Sequence, residues 1–217
     1  MAEGLAARRA RARKILARLE RAYPRATIAL HFKNPLELLV ATILAAQCTD
    51  ERVNQVTASL FKKYRTAEDY AEANAAAFEE EIRSTGFYRA KARSIIGAAR
   101  RLVEMGGTVP QTLEELVQLP GVGRKTANGG LGNAYGEQAI AVDTHVFRVS
   151  QRLGLAKSMN PDEVEAQLRE MLPKSQWTRS CHLFQAHGRT TCDARRPDCP
   201  RCPIRALCPW PGKAPAS

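Results

Sequence analysis

The sequence has no apolar run near the roughly 18 residues that a membrane span needs. Its longest candidate, Leu36 to Ala46, is short and interrupted by Glu37. The start, Met1 to Lys14, is Arg-rich and lacks the apolar core of a secretory signal. Arg8, Arg9, Arg11 and Arg13 match the composition of a mitochondrial import segment; the simpler reading is a solvated basic first helix through Ile15, Leu16 and Leu19. Strand-type alternation, internal repeats and long linkers are all missing, which points to a compact all-α chain. Acidic residues are few, 22 against 33 Lys plus Arg, for a net charge of +11. That excess favours an anionic partner. Because no helix joins a long apolar face to a Lys/Arg face, nucleic acid is favoured over a membrane surface. With 44% hydrophobic and 25% charged residues, wholesale disorder is excluded, and 217 residues suffice for one large domain or two small ones.

The charge is uneven. Residues 1–35 hold nine basic and two acidic side chains, residues 36–118 ten and twelve, and residues 119–217 fourteen and eight. Two basic ends flank a slightly acidic middle, so a fold that joins the ends would make one positive face.

The six cysteines are also uneven. Cys48 and Cys181 stand alone and read as buried apolar residues. Cys192, Cys199, Cys202 and Cys208 crowd into 17 positions. Without a secretion signal, metal ligation is favoured over disulfides. Structural zinc usually shows two close pairs, and only Cys199-x2-Cys202 is close here. Four thiolates in a short loop equally suit an iron–sulfide cubane, and the local chemistry leaves both open.

Helical periodicity covers most of the chain. Leu36, Leu39, Val40, Ile43 and Leu44 predict a helix capped by Asn34 with Pro35 in its first turn. Further helices are expected over 52–64, 67–73, 74–83, 91–105, 125–131, 144–153, 161–172 and 176–188. Thr112-Leu-Glu-Glu115 is the pattern of a capping box opening a short helix up to Leu119.

Leu119-Pro-Gly-Val-Gly-Arg-Lys-Thr-Ala127 lies between two of these helices. Gly121 and Gly123 permit left-handed angles and close approach of another molecule. The amides opening the next helix, with Arg124, would bind a phosphate. Lys125 follows. A neighbouring cation and a positive helix end both disfavour a second positive charge, which favours the free amine of a nucleophile. Locally, a surface lysine that only touches phosphate is the plainer reading. Asp143 reads as an N-cap for the helix that follows. Gln47 reads as a polar residue at a helix C-terminus. Phe87, beside Gly86, is either a core residue or an exposed wedge.

These segments, with Val142-Asp-Thr-His145, resemble the helix–hairpin–helix DNA glycosylases, specifically the endonuclease III family, from about Ile15 to Trp210. The resemblance implies two helical lobes: a six-helix barrel with the hairpin over 28–137, and a cluster lobe of 1–27 with 138–217. It implies a bifunctional DNA glycosylase and AP lyase of base excision repair. Such an enzyme removes oxidised or ring-saturated pyrimidines from duplex DNA and cuts the strand by β-elimination. By resemblance Lys125 attacks the sugar C1′ and Asp143 is the catalytic carboxylate, the two meeting across a cleft. Gln47 and Phe87 fill the gap left by a flipped nucleotide. Gly121, Gly123, Arg124, Arg195 and Arg196 grip the backbone. The x6, x2, x5 spacing resembles the family's [4Fe–4S] loop, making Cys192, Cys199, Cys202 and Cys208 its ligands. His145 matches a family histidine but is as readily structural, and stays outside the catalytic set. The implied partner is duplex DNA with a damaged base or abasic site, met by a monomer in the cytoplasm at the nucleoid. The alternative is a non-catalytic or mono-functional damaged-DNA binder or mismatch glycosylase; the mismatch type lacks this lysine and carries a further C-terminal domain, for which nine residues after Cys208 leave no room. Gly129-Gly130 departs from an apolar pair in the family, Cys48 from Ala, and Phe87 from a residue that is often Leu. These departures bear on substrate range more than on reaction type.

Overall fold

The structure is a computed structural model and describes residues 3–212. Among the described residues it is all-α, without a strand. In chain order the helices are α1 (Leu5–Ala22), α2 (Pro35–Leu44), α3 (Asp50–Lys63), α4 (Ala67–Ala71), α5 (Ala75–Glu81), α6 (Tyr88–Glu104), α7 (Leu113–Leu116), α8 (Arg124–Ala134), α9 (Thr144–Arg152), α10 (Pro161–Met171) and α11 (Trp177–Thr190). The chain divides into two compact units. A central unit is Ala29–Glu137, and a terminal unit joins Met1–Ile28 to Gln138–Ser217.

The central unit is organised on α2. Asn34 caps this helix, its Oδ1 accepting from the Glu37 amide at 2.9 Å, while Glu37 Oε2 accepts from the Lys33 amide at 2.6 Å. Leu38, Leu39, Val40, Ala41, Ile43 and Leu44 are all buried, so α2 is covered on nearly every side, and α3, α6 and α8 pack on it. Each of the Leu, Ile and Val side chains among them contributes about 1.5–3 kcal/mol by leaving water. On α6, Ala92, Ile95, Ile96 and Ala99 make the buried stripe expected of a helix with one wet face. Tyr64, Tyr70 and Phe78 close the opposite corner as a ring cluster, with centroids 5.0–6.0 Å apart.

Two helix starts differ from the sequence expectation by more than one residue, and one cap differs in form, each for a local reason. Helix α3 begins at Asp50, because Thr49 Oγ1 accepts from the Arg52 amide and two acidic residues follow at the positive helix end. Helix α6 begins at Tyr88, three residues early, because Phe87 takes a left-handed backbone (φ 49°) that turns the chain directly into it. The Thr112 box is half closed: Oγ1 accepts from the Glu115 amide, but the Glu115 carboxylate takes the Thr112 hydroxyl rather than the Thr112 amide. A complete box occurs instead at Thr66 and Asp69, opening α4.

The terminal unit has its own core. Ala12, Ile15, Leu16 and Leu19 form the inner stripe of α1 and join Val146, Val149, Leu168, Leu183 and Phe184. Arginines tie the two chain segments together. Arg179 on α11 binds both Glu20 oxygens and the carbonyls of Pro24 and Ala26. Arg11 Nη1 donates to Leu153 O at 2.6 Å and Leu207 O at 3.1 Å. The basic ends of the chain thus fall in one unit. That unit holds twenty basic and nine acidic side chains, or +11, while the central unit holds thirteen of each.

Candidate functional site

In the central unit, α7 and α8 flank the glycine hairpin. Leu119 and Val122 are buried and anchor the turn. Gly121 must be glycine on two counts: its φ is +77°, and a Cβ there would lie 2.6 Å from Ser94 Cβ. Gly123 differs. Its φ is ordinary, it is the N-cap of α8, and a Cβ there would meet nothing within 4 Å. The protein's own packing does not demand glycine at 123, so the space is open to another molecule. Helix α8 has no side-chain cap, and Arg124 and Lys125 stand exposed in its first turn. An uncapped helix start with two adjacent cations suits an anion such as phosphate. Further along α8, Gly129 and Gly130 also face open space, and Gly130 lines a small cavity with Leu39, Thr42 and Leu116.

Gln47 and Phe87 share a feature the sequence did not reveal. They are the two non-glycine residues of positive φ among the described residues, at 52° and 49°. Gln47 lies three residues beyond the end of α2 and is exposed. Phe87 is 66% exposed, which decides against the core reading. Left-handed backbone at such residues costs about 1–3 kcal/mol and tends to mark functional sites.

In the terminal unit Asp143 is half-buried and caps α9, its Oδ1 accepting from the Val146 amide at 2.7 Å. The cap fixes the carboxylate on a rigid element. His145 Nδ1 lies 3.1 Å from Arg148 Nη2, and its ring packs over Gly188.

Cys192, Cys199, Cys202 and Cys208 line one recess, shared with Arg152, His187, Ile204 and Trp210. Among the described residues no set of three or more His, Cys, Asp or Glu side chains closes on a single metal ion. Cys192, Cys199 and Cys208 all lie near enough to act electrostatically on Cys202. Arg152 Nη1 donates to Cys192 Sγ at 3.3 Å and to the Asp193 carbonyl at 2.7 Å, with its guanidinium 4.2 Å above the Trp210 ring. His187 Nε2 is 3.7 Å from Cys202 Sγ, and its Nδ1 is 3.0 Å from the Tyr23 hydroxyl. Burial pushes the His187 imidazole down to about 4. Arg152, His187 and Tyr23 are site residues that spacing alone could not find, since they come from α9, α11 and the end of α1. Arg195 and Arg196 are exposed on the loop between the first two cysteines. Asp193 Oδ1 accepts from both of their amides, at 2.8 and 2.9 Å, and those amides (Arg196 first) hold its carboxyl below the usual range. Arg201 instead pairs with Asp198 at 2.5 Å. Cys181 is buried, and burial pushes its thiol up to about 12. Cys48 is only half-buried, against expectation, because it lies on the open turn after α2.

Residues 40–174 match the HhH-GPD superfamily of base excision DNA repair proteins. The endonuclease III of Synechocystis sp. is 50% identical over 208 residues, covering 94% of each chain. This chain belongs to the endonuclease III family. A solved non-covalent endonuclease III–DNA complex superposes with a TM-score of 0.88 at 45% identity, covering 93% of this chain and 95% of that one. A trapped endonuclease III–DNA covalent intermediate gives 0.89 at the same identity and coverage.

Proposed function

We propose that this family member is a bifunctional DNA glycosylase and AP lyase of base excision repair, acting on oxidised pyrimidines such as thymine glycol in duplex DNA. The observation that carries the reading is Lys125: an exposed amine in the first turn of an uncapped helix, next to Arg124 and an open Gly123. The helix start and Gly123 hold a phosphate, which puts a sugar within reach of that amine. Lys125 Nζ forms a bond to C1′ as the C1′–N bond to the base breaks, and the electron pair leaves with the base. The amine then gives up a proton, its lone pair makes C1′=N as the C1′–O4′ bond breaks, and the freed O4′ takes up a proton; the resulting imine acidifies C2′. Loss of a proton there expels the 3′ phosphate and cuts the strand. Asp143 is assigned the charge-stabilising role, offsetting positive charge on the sugar and accepting a proton from the amine. Its cap uses one oxygen and leaves the second for this task. A base inside a duplex must be extruded first. Gln47 and Phe87, exposed on strained turns, are the side chains assigned to the vacated stack, with an aromatic ring well suited to stacking.

The four cysteines are proposed to hold a [4Fe–4S] cluster. The four cysteines border one recess, the other three lie near enough to Cys202 to act on it electrostatically, and no three of the described His, Cys, Asp or Glu side chains close on a single ion, which suits a group that four thiolates hold in common. When bound, such a group cross-links four thiolates and can exchange one electron. Arg152 and Asp193 shape the first loop of that site, so that Arg195 and Arg196 are presented to phosphates with little ordering left to do. Iron and sulfide analysis with the visible spectrum tests the cluster. We assign its work to the cytoplasm, at the nucleoid, on the sources of its relatives and the nature of its substrate.

Incubation with a thymine glycol duplex tests the function. The unaltered chain releases base and nicks the strand, whereas Lys125→Gln binds the duplex and leaves it intact. Binding without base release by the unaltered chain would reduce the protein to a damaged-DNA binder.

A further inference from the structure

Lys91 is the buried lysine of the central unit, 5% exposed on the inner face of α6. An ammonium in such a place is costly unless its protons are taken up, and a methionine would fill the same space without that cost. Its Nζ donates to two backbone carbonyls, Leu44 O and Thr85 O, each at 2.8 Å. Leu44 ends α2, three residues before Gln47. Thr85 stands two residues before Phe87, and the Lys91 amide itself donates to Phe87 O at 3.1 Å. The Cys48 thiol lies near enough to act electrostatically on the same ammonium, which burial holds below its ordinary range. One side chain therefore fastens both turns that carry the two strained non-glycine residues. A carbonyl at a helix C-terminus carries partial negative charge, so the α2 end is a favourable place for a cation.

We propose that Lys91 is a positioning residue that ties the turn after α2 to the turn before α6, setting the separation at which Gln47 and Phe87 are presented to the gap in lesion DNA. The inference rests on the assignment of those two residues to the vacated stack. It makes no contact with substrate itself. Its effect is geometric: two wedges on separate turns fill one gap only if their spacing is held to a fraction of an ångström.

The test uses the full chain and a duplex containing a tetrahydrofuran abasic analogue, against the same duplex undamaged. Lys91→Met is expected to lower affinity for the abasic duplex at least about tenfold while leaving undamaged binding within about twofold. In a Gln47→Ala/Phe87→Ala background, Lys91→Met should add no further loss. A general structural role would instead weaken both duplexes, or would add to the double variant, and either result overturns the proposal. So does an unchanged preference in Lys91→Met. If Gln47→Ala/Phe87→Ala alone leaves the preference intact, the insertion assignment falls and Lys91 positioning with it, while Lys125-dependent nicking would still stand. A second measurement needs no variant. The Lys91 ammonium nitrogen signal, in protein labelled at lysine, should shift on binding the abasic duplex and stay in place with the undamaged one. A signal indifferent to both contradicts the proposal even if Lys91→Met does not fold.

Discussion

The two units differ most in charge. The terminal unit carries the whole net charge of the chain, while the central unit is balanced and carries the hairpin, Lys125 and the two strained turns. The difference separates two tasks. Attraction to phosphates is long-ranged, falls with salt and is blind to damage, so a surplus of cations supplies it wherever they sit. Finding a lesion depends on shape at close quarters, and a unit without net charge can do that through placed side chains. Asp143 and the cysteine cavity show that the terminal unit is not only a counter-charge: its cations hang on elements fixed by caps and by loops that α9 holds.

The largest expected effect separates the carboxylate of Asp143 from its cap. Asp143→Asn retains a good N-cap, so folding should hold while base release in single turnover falls about 10²- to 10⁴-fold. Full activity with Asn would leave Asp143 as a cap and return the chemistry to the central unit alone. Next comes the phosphate grip. Arg195→Gln with Arg196→Gln should weaken abasic and undamaged duplexes alike and flatten the slope of log affinity against log salt by about 1.8, or 0.9 for each phosphate lost. A loss confined to lesion DNA would move damage recognition into the terminal unit and break the division. Smaller still is the further step to Asp143→Ala, which should cost about 1 kcal/mol of stability beyond Asn in a denaturant melt. At the small end, Gly130→Ala should stabilise the chain by about 1 kcal/mol, since its helix site is open and borders a cavity. A parallel lesion panel would show whether that glycine also serves substrate range.

Much of this was legible in the sequence. The apolar stripes of α1 and α2 announced buried positions, and Asn34 and Asp143 their capping roles, because caps and periodicity are local. The cysteine spacing pointed to one shared site. Other features were hidden because they depend on distant chain segments. Nothing near Lys91 in sequence announces that Leu44 O and Thr85 O take up its protons. Arg152 reaches the cysteine loop from forty residues away. The positive φ of Gln47 and Phe87 belongs to residue types that seldom adopt it, so no propensity foretells it. Glycine spacing also understated a difference: Gly121 is required by the protein itself, whereas Gly123 leaves space for a ligand.

The amine of Lys125 is the centre of the account, and borohydride reduction during turnover on a lesion duplex tests it most directly. The account predicts one protein–DNA adduct whose mapped peptide carries the deoxyribose on Lys125, with none formed by Lys125→Gln. An adduct mapped to another residue, or full strand cleavage by Lys125→Gln, would contradict it.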